Sequence, residues 1–219
     1  MAQVHADDFE SGELSGYGGD QTNWIATMDD KYEGQYCAKA YTSSNYSSGE
    51  LNQNPGNYDQ LFLRQYVKWL GRFENGAVCN YYQTIHIAGP GTEFMPYDSG
   101  TSQYTSRLQI VAYWVERAVS TSYVNIDTWY GLQCHTYWND ESTVLELKVD
   151  GTTWMTYNGT ITASQVNYWR WFGGAWNYAP AGIELDAIVA DDAQYPALLS
   201  TDDFYTVVLA KRENTLLRR

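Results

Sequence analysis

The sequence predicts an all-β fold, a two-sheet antiparallel β-sandwich of the jelly-roll kind, and three observations carry that prediction. The clearest is the stretch Val144 to Tyr157, VLELKVDGTTWMTY. Leu145, Leu147 and Val149 alternate with Glu146 and Lys148, and Asp150-Gly151 supplies the pair that accepts positive φ in a two-residue type I′ turn. The stretch therefore reads as a β-hairpin. Across such a turn Val149 is expected opposite Thr152, Leu147 opposite Trp154 and Leu145 opposite Thr156, with one face in the core and the other wet or lining a groove. The second observation is composition: 20 Tyr, 9 Trp and 18 Gly describe a chain rich in strand and turn formers. The third is cadence. Roughly ten to twelve short alternating segments are separated by turn signals, and no helical period interrupts them.

Taken in order, Asp7-Asp8-Phe9-Glu10-Ser11-Gly12 opens the domain and Gly16 to Gly19 makes a turn. Short strands are expected around Trp24 and from Gln35 to Tyr41. Ser43 to Asn57, rich in Ser, Asn and Gly and holding Pro55, reads as a loop. Leu61 to Trp69 is a long strand with two unlike faces. Leu61, Leu63, Gln65, Val67 and Trp69 form the face read as core, whereas Phe62, Arg64, Tyr66 and Lys68 form one read as wet or ligand-facing. Tyr81 to Ala88 is another strand. Gly89 to Ser106 follows as a Gly/Pro/Ser/Thr loop long enough to invite a functional role. Arg107 to Glu116, Trp129 to Trp138, the hairpin, Tyr168 to Trp176 and Gly182 to Ala190 complete the strands. At 219 residues one core is expected, a single domain over 1–198, with 199–219 as a basic tail that docks on it or on a neighbouring subunit.

Charge narrows the partners. The formal net charge is -13, but residues 211–219 hold four of the 13 Lys and Arg and one of the 26 Asp and Glu. The tail is thus net positive on a strongly acidic body. Such a body repels nucleic acid, anionic lipid and acidic polysaccharide at long range and favours neutral glycans and protein subunits. No apolar run approaches the roughly 20 residues of a membrane span, so no membrane insertion is expected. Met1 to Asp8 has neither the basic start nor the apolar core of an export signal. Cys37, Cys79 and Cys134 lie far apart with no C-x-x-C spacing, which argues against zinc. Cys37, in the strand-like QYCAKAY, reads as a small buried hydrophobe; one disulfide with one free thiol stays open.

Several stretches, in this order, resemble the concanavalin A-like lectin/glucanase jelly rolls, a superfamily that includes polysaccharide-lyase-like and laminin G-like domains. They are Asp8-Phe9-Glu10-Ser11-Gly12, the strand LFLRQYVKW from Leu61 to Trp69, Trp129 leading a strand, LELKVDG from Leu145 to Gly151, and the closing Gly182-Ile-Glu-Leu-Asp-Ala-Ile-Val-Ala190. The resemblance implies two antiparallel sheets, one concave, with its groove as the usual glycan site. It does not imply catalysis, because this fold hosts lectins, hydrolases, lyases and structural modules alike.

Four sets of residues are candidates for chemistry. Glu184-Leu185-Asp186 resembles the start of the laminarinase-type signature, but Ile188 and Val189 stand where a third acid belongs, and retaining hydrolysis needs a matched pair of carboxyls. The strand is expected simply to close the sandwich. Arg64, Tyr66, Lys68 and His86 resemble the Arg, Gln-x-His and Tyr/Lys strands of alginate-lyase-like members, where proton abstraction beside a uronate needs a base and a charge neutraliser. Gln83-Thr84-Ile85-His86 is one residue too long for that motif, and the acidic body opposes a uronate polymer. Trp169, Trp171, Trp176 and Tyr178 could stack on the C–H faces of sugar rings, with one pair expected in the core. Glu10 and Asp186 resemble the acidic pair that, with backbone carbonyls, holds a structural calcium ion in sandwiches of this kind.

The reading that results is a noncatalytic, lectin-like attachment or structural module at a virion or other extracellular surface. Its carbohydrate-binding residues are expected to be Arg64, Tyr66, His86, Trp169, Trp171, Trp176 and Tyr178. Assembly, as a homo-oligomer or with other subunits, is expected through the tail. The alternative is a polysaccharide lyase or glycoside hydrolase that works through Arg64, Tyr66, Lys68 and His86.

Overall fold

The computed structural model describes residues 3–43, 47–54, 56–71, 73, 85–88, 92–97, 104–112, 115–138, 142–161, 168–175 and 180–199. Among them are strands in two antiparallel sheets and no helix that is long and apolar enough to cross a membrane. The eight-stranded sheet runs β12 (Thr152–Gly159), β11 (Thr143–Val149), β10 (Trp129–Trp138), β5 (Gln60–Leu70), β14 (Ala181–Asp191), β3 (Cys37–Thr42) and β2 (Trp24–Thr27), with β1 (Gln3–Asp7) also pairing with β14. The six-stranded sheet runs β4 (Ser47–Gln53), β13 (Tyr168–Ala175), β6 (Ile85–Ala88), β7 (Thr92–Tyr97), β8 (Thr105–Ala112) and β9 (Val115–Asn125).

The core lies between the sheets, and the expected alternation builds it. Leu61, Leu63, Gln65, Val67 and Trp69 of β5 are all fully buried. Against them come Leu51 from β4, Trp169 and Trp171 from β13, and Phe94 and Ile110 from β7 and β8. The sheets approach closely at Gly173. A Cβ there would run into the Cβ of Ala40 and come within 3.1 Å of the Trp24 ring and 3.3 Å of Ile183.

The β11–β12 hairpin turns on Asp150 (φ 48°) and Gly151 (φ 78°), as the sequence predicts. Its register does not follow the simple expectation. Val149 faces Thr152, but a bulge beside Leu147 sets Leu147 opposite Met155 and Leu145 opposite Tyr157. The extra residue in β12 sends Met155 into the core and leaves Trp154 half-buried at its edge.

Two segments read as loops are strands. Ser43 to Asn57 contains β4, whose polar residues conceal one buried side chain, Leu51, and whose backbone pairs along the whole of β13. Gly89 to Ser106 contains β7, held between β6 and β8. The strand expected over Arg107 to Glu116 is instead the end of β8 and the start of β9, which pair with each other. Cys37 and Cys134 are free, fully buried thiols, and burial pushes the Cys37 thiol up to about 12. Cys79 lies outside the described residues.

Candidate functional site

Residues directly opposite one another in antiparallel strands share a face. Trp169 and Trp171 point into the core, so Arg170 between them belongs to the outward face of the six-stranded sheet. Register then carries one row across all six strands: Asn52 on β4, Arg170 on β13, His86 on β6, Glu93 on β7, Val111 on β8 and Glu116 on β9. In strand order the positions are Asn, Arg, His, Glu, Val and Glu.

Arg170 is fixed within that row. Its Nη1 pairs with Oε2 of Glu50 at 3.1 Å, and its guanidinium lies 5.1 Å from the centre of the Phe172 ring. Asn52 donates through Nδ2 to the other carboxylate oxygen of Glu50 at 2.9 Å. The face thus offers donors and acceptors beside an aromatic ring, the mixture that orients a polar ligand on a largely apolar floor. Of this row, sequence reasoning named only His86. The alternation Trp169-Arg170-Trp171 carried the signal, because two buried Trp residues force the Arg between them outward.

The catalytic set does not assemble. Arg64, Tyr66 and Lys68 are on β5 in the eight-stranded sheet, whereas His86 is on β6 in the six-stranded sheet. Nor is the second face of β5 open. Lys68 is buried, bridged to Glu184 and to Asp30, and Glu184 also takes Lys39 Nζ at 3.0 Å. Lys68 needs those carboxylates because a lone buried ammonium is costly. Tyr66 is covered by Tyr32, whose ring stacks on it at 3.7 Å, and its hydroxyl accepts from the Leu199 N–H at 2.7 Å. Arg64 donates to the carbonyls of Ala197 (2.7 Å) and Ala187 (3.1 Å). Two straps, residues 28–36 and 192–199, therefore close most of a surface that alternation alone leaves open.

The aromatic platform is corrected as well. Trp169 and Trp171 are both fully buried, and the Trp171 indole N–H donates to Gln65 Oε1 across the sandwich at 2.5 Å. They are core residues because β13 is an interior strand of its sheet, packed on the other sheet through Gly173. Trp176 and Tyr178 lie outside the described residues, as does the tail from 200 to 219.

Glu10 and Asp186 are brought to one loop, yet the donors around them do not fit calcium. Glu10 Oε1 accepts the backbone N–H of Gln35 (2.6 Å) and Tyr36 (3.1 Å), and Asp186 Oδ2 accepts those of Tyr32 and Glu33, both at 3.0 Å. Asp186 Oδ1 takes the Ala187 N–H at 2.7 Å. Calcium wants six to eight oxygens. Here the loop turns amide hydrogens, not carbonyl oxygens, toward both carboxylates, and no group of three acidic, His or Cys side chains gathers to hold a metal among the described residues. Burial pushes the Asp186 carboxyl up to about 7 against the pull of those three N–H groups.

No protein-family model matches the chain, and no curated protein matches it in sequence. Solved structures do match in shape. A cellulose induced protein, Cip1, superposes with a TM-score of 0.64 at 11% identity, over 89% of this chain and 100% of that one. A protein of unknown function with a galectin-like fold from Bacillus subtilis gives 0.55 at 7% identity, over 90% and 98%. A sialidase gives 0.57 at 9% identity over 89% of this chain, which spans 19% of the sialidase's length. At such identities the likeness establishes the fold alone, a two-sheet antiparallel β-sandwich similar to the galectin-like fold.

Proposed function

We propose that this chain is a noncatalytic carbohydrate-binding module that takes a glycan on the outward face of its six-stranded sheet. The row from Asn52 through Arg170 and His86 to Glu93 and Glu116 carries the proposal. Register puts residue types that donate to and accept from hydroxyl groups at successive positions on one side of the sheet, and Phe172 stands beside Arg170. The lectin-like fold supports the reading, as does a net charge of -13, which favours a neutral glycan over a uronate polymer. The division of Arg64, Tyr66 and Lys68 from His86 counts against a lyase or hydrolase built on those four.

A glycan array with the intact chain, repeated with Arg170→Ala and His86→Ala, tests this. Binding that weakens at least tenfold in both variants is expected, with no release of reducing ends or unsaturated products from any bound polysaccharide. Undiminished binding in both variants would remove this face from consideration, and turnover abolished by His86→Ala would make the protein an enzyme.

We further propose that the module serves at a virion or other extracellular surface and assembles through its basic tail. The support is the contrast between the tail, with four Lys and Arg in residues 211–219, and the acidic remainder. Light scattering on the full chain and on one cut after Leu198 tests it. A full-length oligomer that dissociates on truncation is the expected result; monomers in both cases would refute assembly through the tail.

A further inference from the structure

A cavity opens on the outer surface of the eight-stranded sheet beside the strap of residues 28–36. It has a volume of about 290 Å³, with Arg64 in its wall, Asp7 and Asp8 at one side, Glu33 at another, and the backbone of Ala187 to Val189 as a rim. The rim exists because β14 bulges between Asp186 and Val189, with Ala187 at φ 45°. Arg64 is only 7% exposed. Two of its five N–H groups meet the carbonyls of Ala197 and Ala187, and its Nε has no acceptor within the protein. A buried guanidinium short of acceptors beside a cavity is incomplete by itself, since a buried donor left unmatched is costly.

The surrounding groups limit what completes it. Three carboxylates face the cavity, yet they are not grouped closely enough to hold one metal ion. A cation would also sit against Arg64. An anion would satisfy Arg64 but meet three carboxylates. Asp7 and Asp8 each already take one backbone N–H, from Phe9 and Glu10, so a neutral ligand that accepts from Arg64 and donates to the remaining carboxylate lone pairs suits the lining, as a ring of hydroxyl groups does. The volume lies at the low end of the roughly 300–1,000 Å³ of ligand pockets and suits one sugar ring. Beside Glu33 stands Tyr32, 39% exposed. One face of its ring lies on Tyr66 and its side meets Trp129 at 5.9 Å, so the opposite face is the part left to solvent. Tyr32 adjoins the cavity through its sequence neighbour Glu33, and an exposed, supported aromatic face suits the C–H side of a pyranose.

We infer that this opening is a second carbohydrate site, apart from the outward face of the six-stranded sheet. One neutral pyranose sits over Arg64, its hydroxyls donating to Asp7, Asp8 and Glu33 and accepting from the guanidinium, and the adjoining ring of the glycan stacks on Tyr32. The site stands on its own geometry and does not require that face to bind.

Saturation-transfer NMR on the full chain tests it, with the methyl glycosides and soluble oligosaccharides of glucose, galactose and mannose as probes. The variants are Tyr32→Ala, Glu33→Gln and Arg64→Lys, the last keeping the charge and losing the Nε donor, each checked for an unchanged near-UV spectrum. Arg170→Ala serves as the variant of the six-stranded sheet's face. Binding that survives, weakened, in Arg170→Ala and falls at least tenfold further when Tyr32→Ala or Glu33→Gln is added to Arg170→Ala is the expected result. Binding abolished by Arg170→Ala and untouched by Tyr32→Ala and Glu33→Gln overturns the second site while leaving the first in place. Binding lost in Arg64→Lys but untouched by Tyr32→Ala and Glu33→Gln overturns the carboxylate and stacking contacts, and with them the site. No binding of any probe sinks both.

Discussion

The indole N–H of Trp171 and the amide oxygen of Gln65 meet at 2.5 Å in the middle of the core, joining β13 of one sheet to β5 of the other. Both side chains are fully buried. Gln65→Met removes the acceptor and leaves the indole N–H unmatched, at about 1–3 kcal/mol. Trp171→Phe does the converse to Gln65. The double variant should lose less than the sum of the two, by roughly 0.5 kcal/mol or more. Urea denaturation of the three proteins measures this, and strict additivity would mean that the bond contributes nothing.

Two buried groups make stability respond to pH in opposite directions. The Asp186 carboxyl is raised to about 7 by burial, so the folded state holds its proton longer than the unfolded chain does; its contribution is greatest below pH about 4 and is lost as pH rises through 7. His135, stacked on Phe62 at 4.0 Å, is lowered to about 4 by burial, so its contribution is present above pH about 6.5 and is lost as pH falls toward 4. Each acts with a slope of up to about 1.4 kcal/mol per pH unit. These two contributions nearly cancel between pH 4 and 6.5, and His5, also lowered by burial, adds a smaller loss of stability toward acid. Asp186→Asn should become steadily less stable as pH falls, and His135→Phe steadily less stable as pH rises. Thermal melts across that range distinguish these outcomes from parallel curves.

Gly173→Ala adds one methyl group where Ala40, Trp24 and Ile183 already touch. Overpacking of a filled core costs about 1–3 kcal/mol. A melting temperature lowered by several degrees is expected, and a neutral result would mean that the sheets separate easily.

Millimolar calcium should shift the melting temperature by less than about 1 °C, and a chelator should do no more, because a ligand stabilises only as far as it binds the folded state. The loop amides already occupy Glu10 and Asp186. A rise of several degrees would mean that the loop turns its carbonyls inward around the ion.

How far the sequence reached depended on the kind of information each feature needs. Alternation identified β5, β10, β11 and β14 and the core face of β5, because one buried face per strand suffices for that. It placed Gln65 inside without revealing Trp171 as its partner, since the two are 106 positions apart and in different sheets. It left β4 as a loop because that strand has one core residue and forms by pairing with β13. It exposed Arg64, Tyr66 and Lys68 because a strand pattern records two faces and not what later folds over them. The straps are irregular segments bound by single hydrogen bonds, such as Gln133 Nε2 to the Pro196 carbonyl at 2.8 Å, and no periodicity announces them. The row through Arg170 needed the register of six strands at once.

The strap that ends with Leu199 on the Tyr66 hydroxyl fixes a point of departure. Tyr66 belongs to β5, an interior strand of the eight-stranded sheet, and the six-stranded sheet lies beyond the core on the opposite side. The chain at Leu199 is therefore held on the side of the sandwich opposite the sheet that bears Arg170.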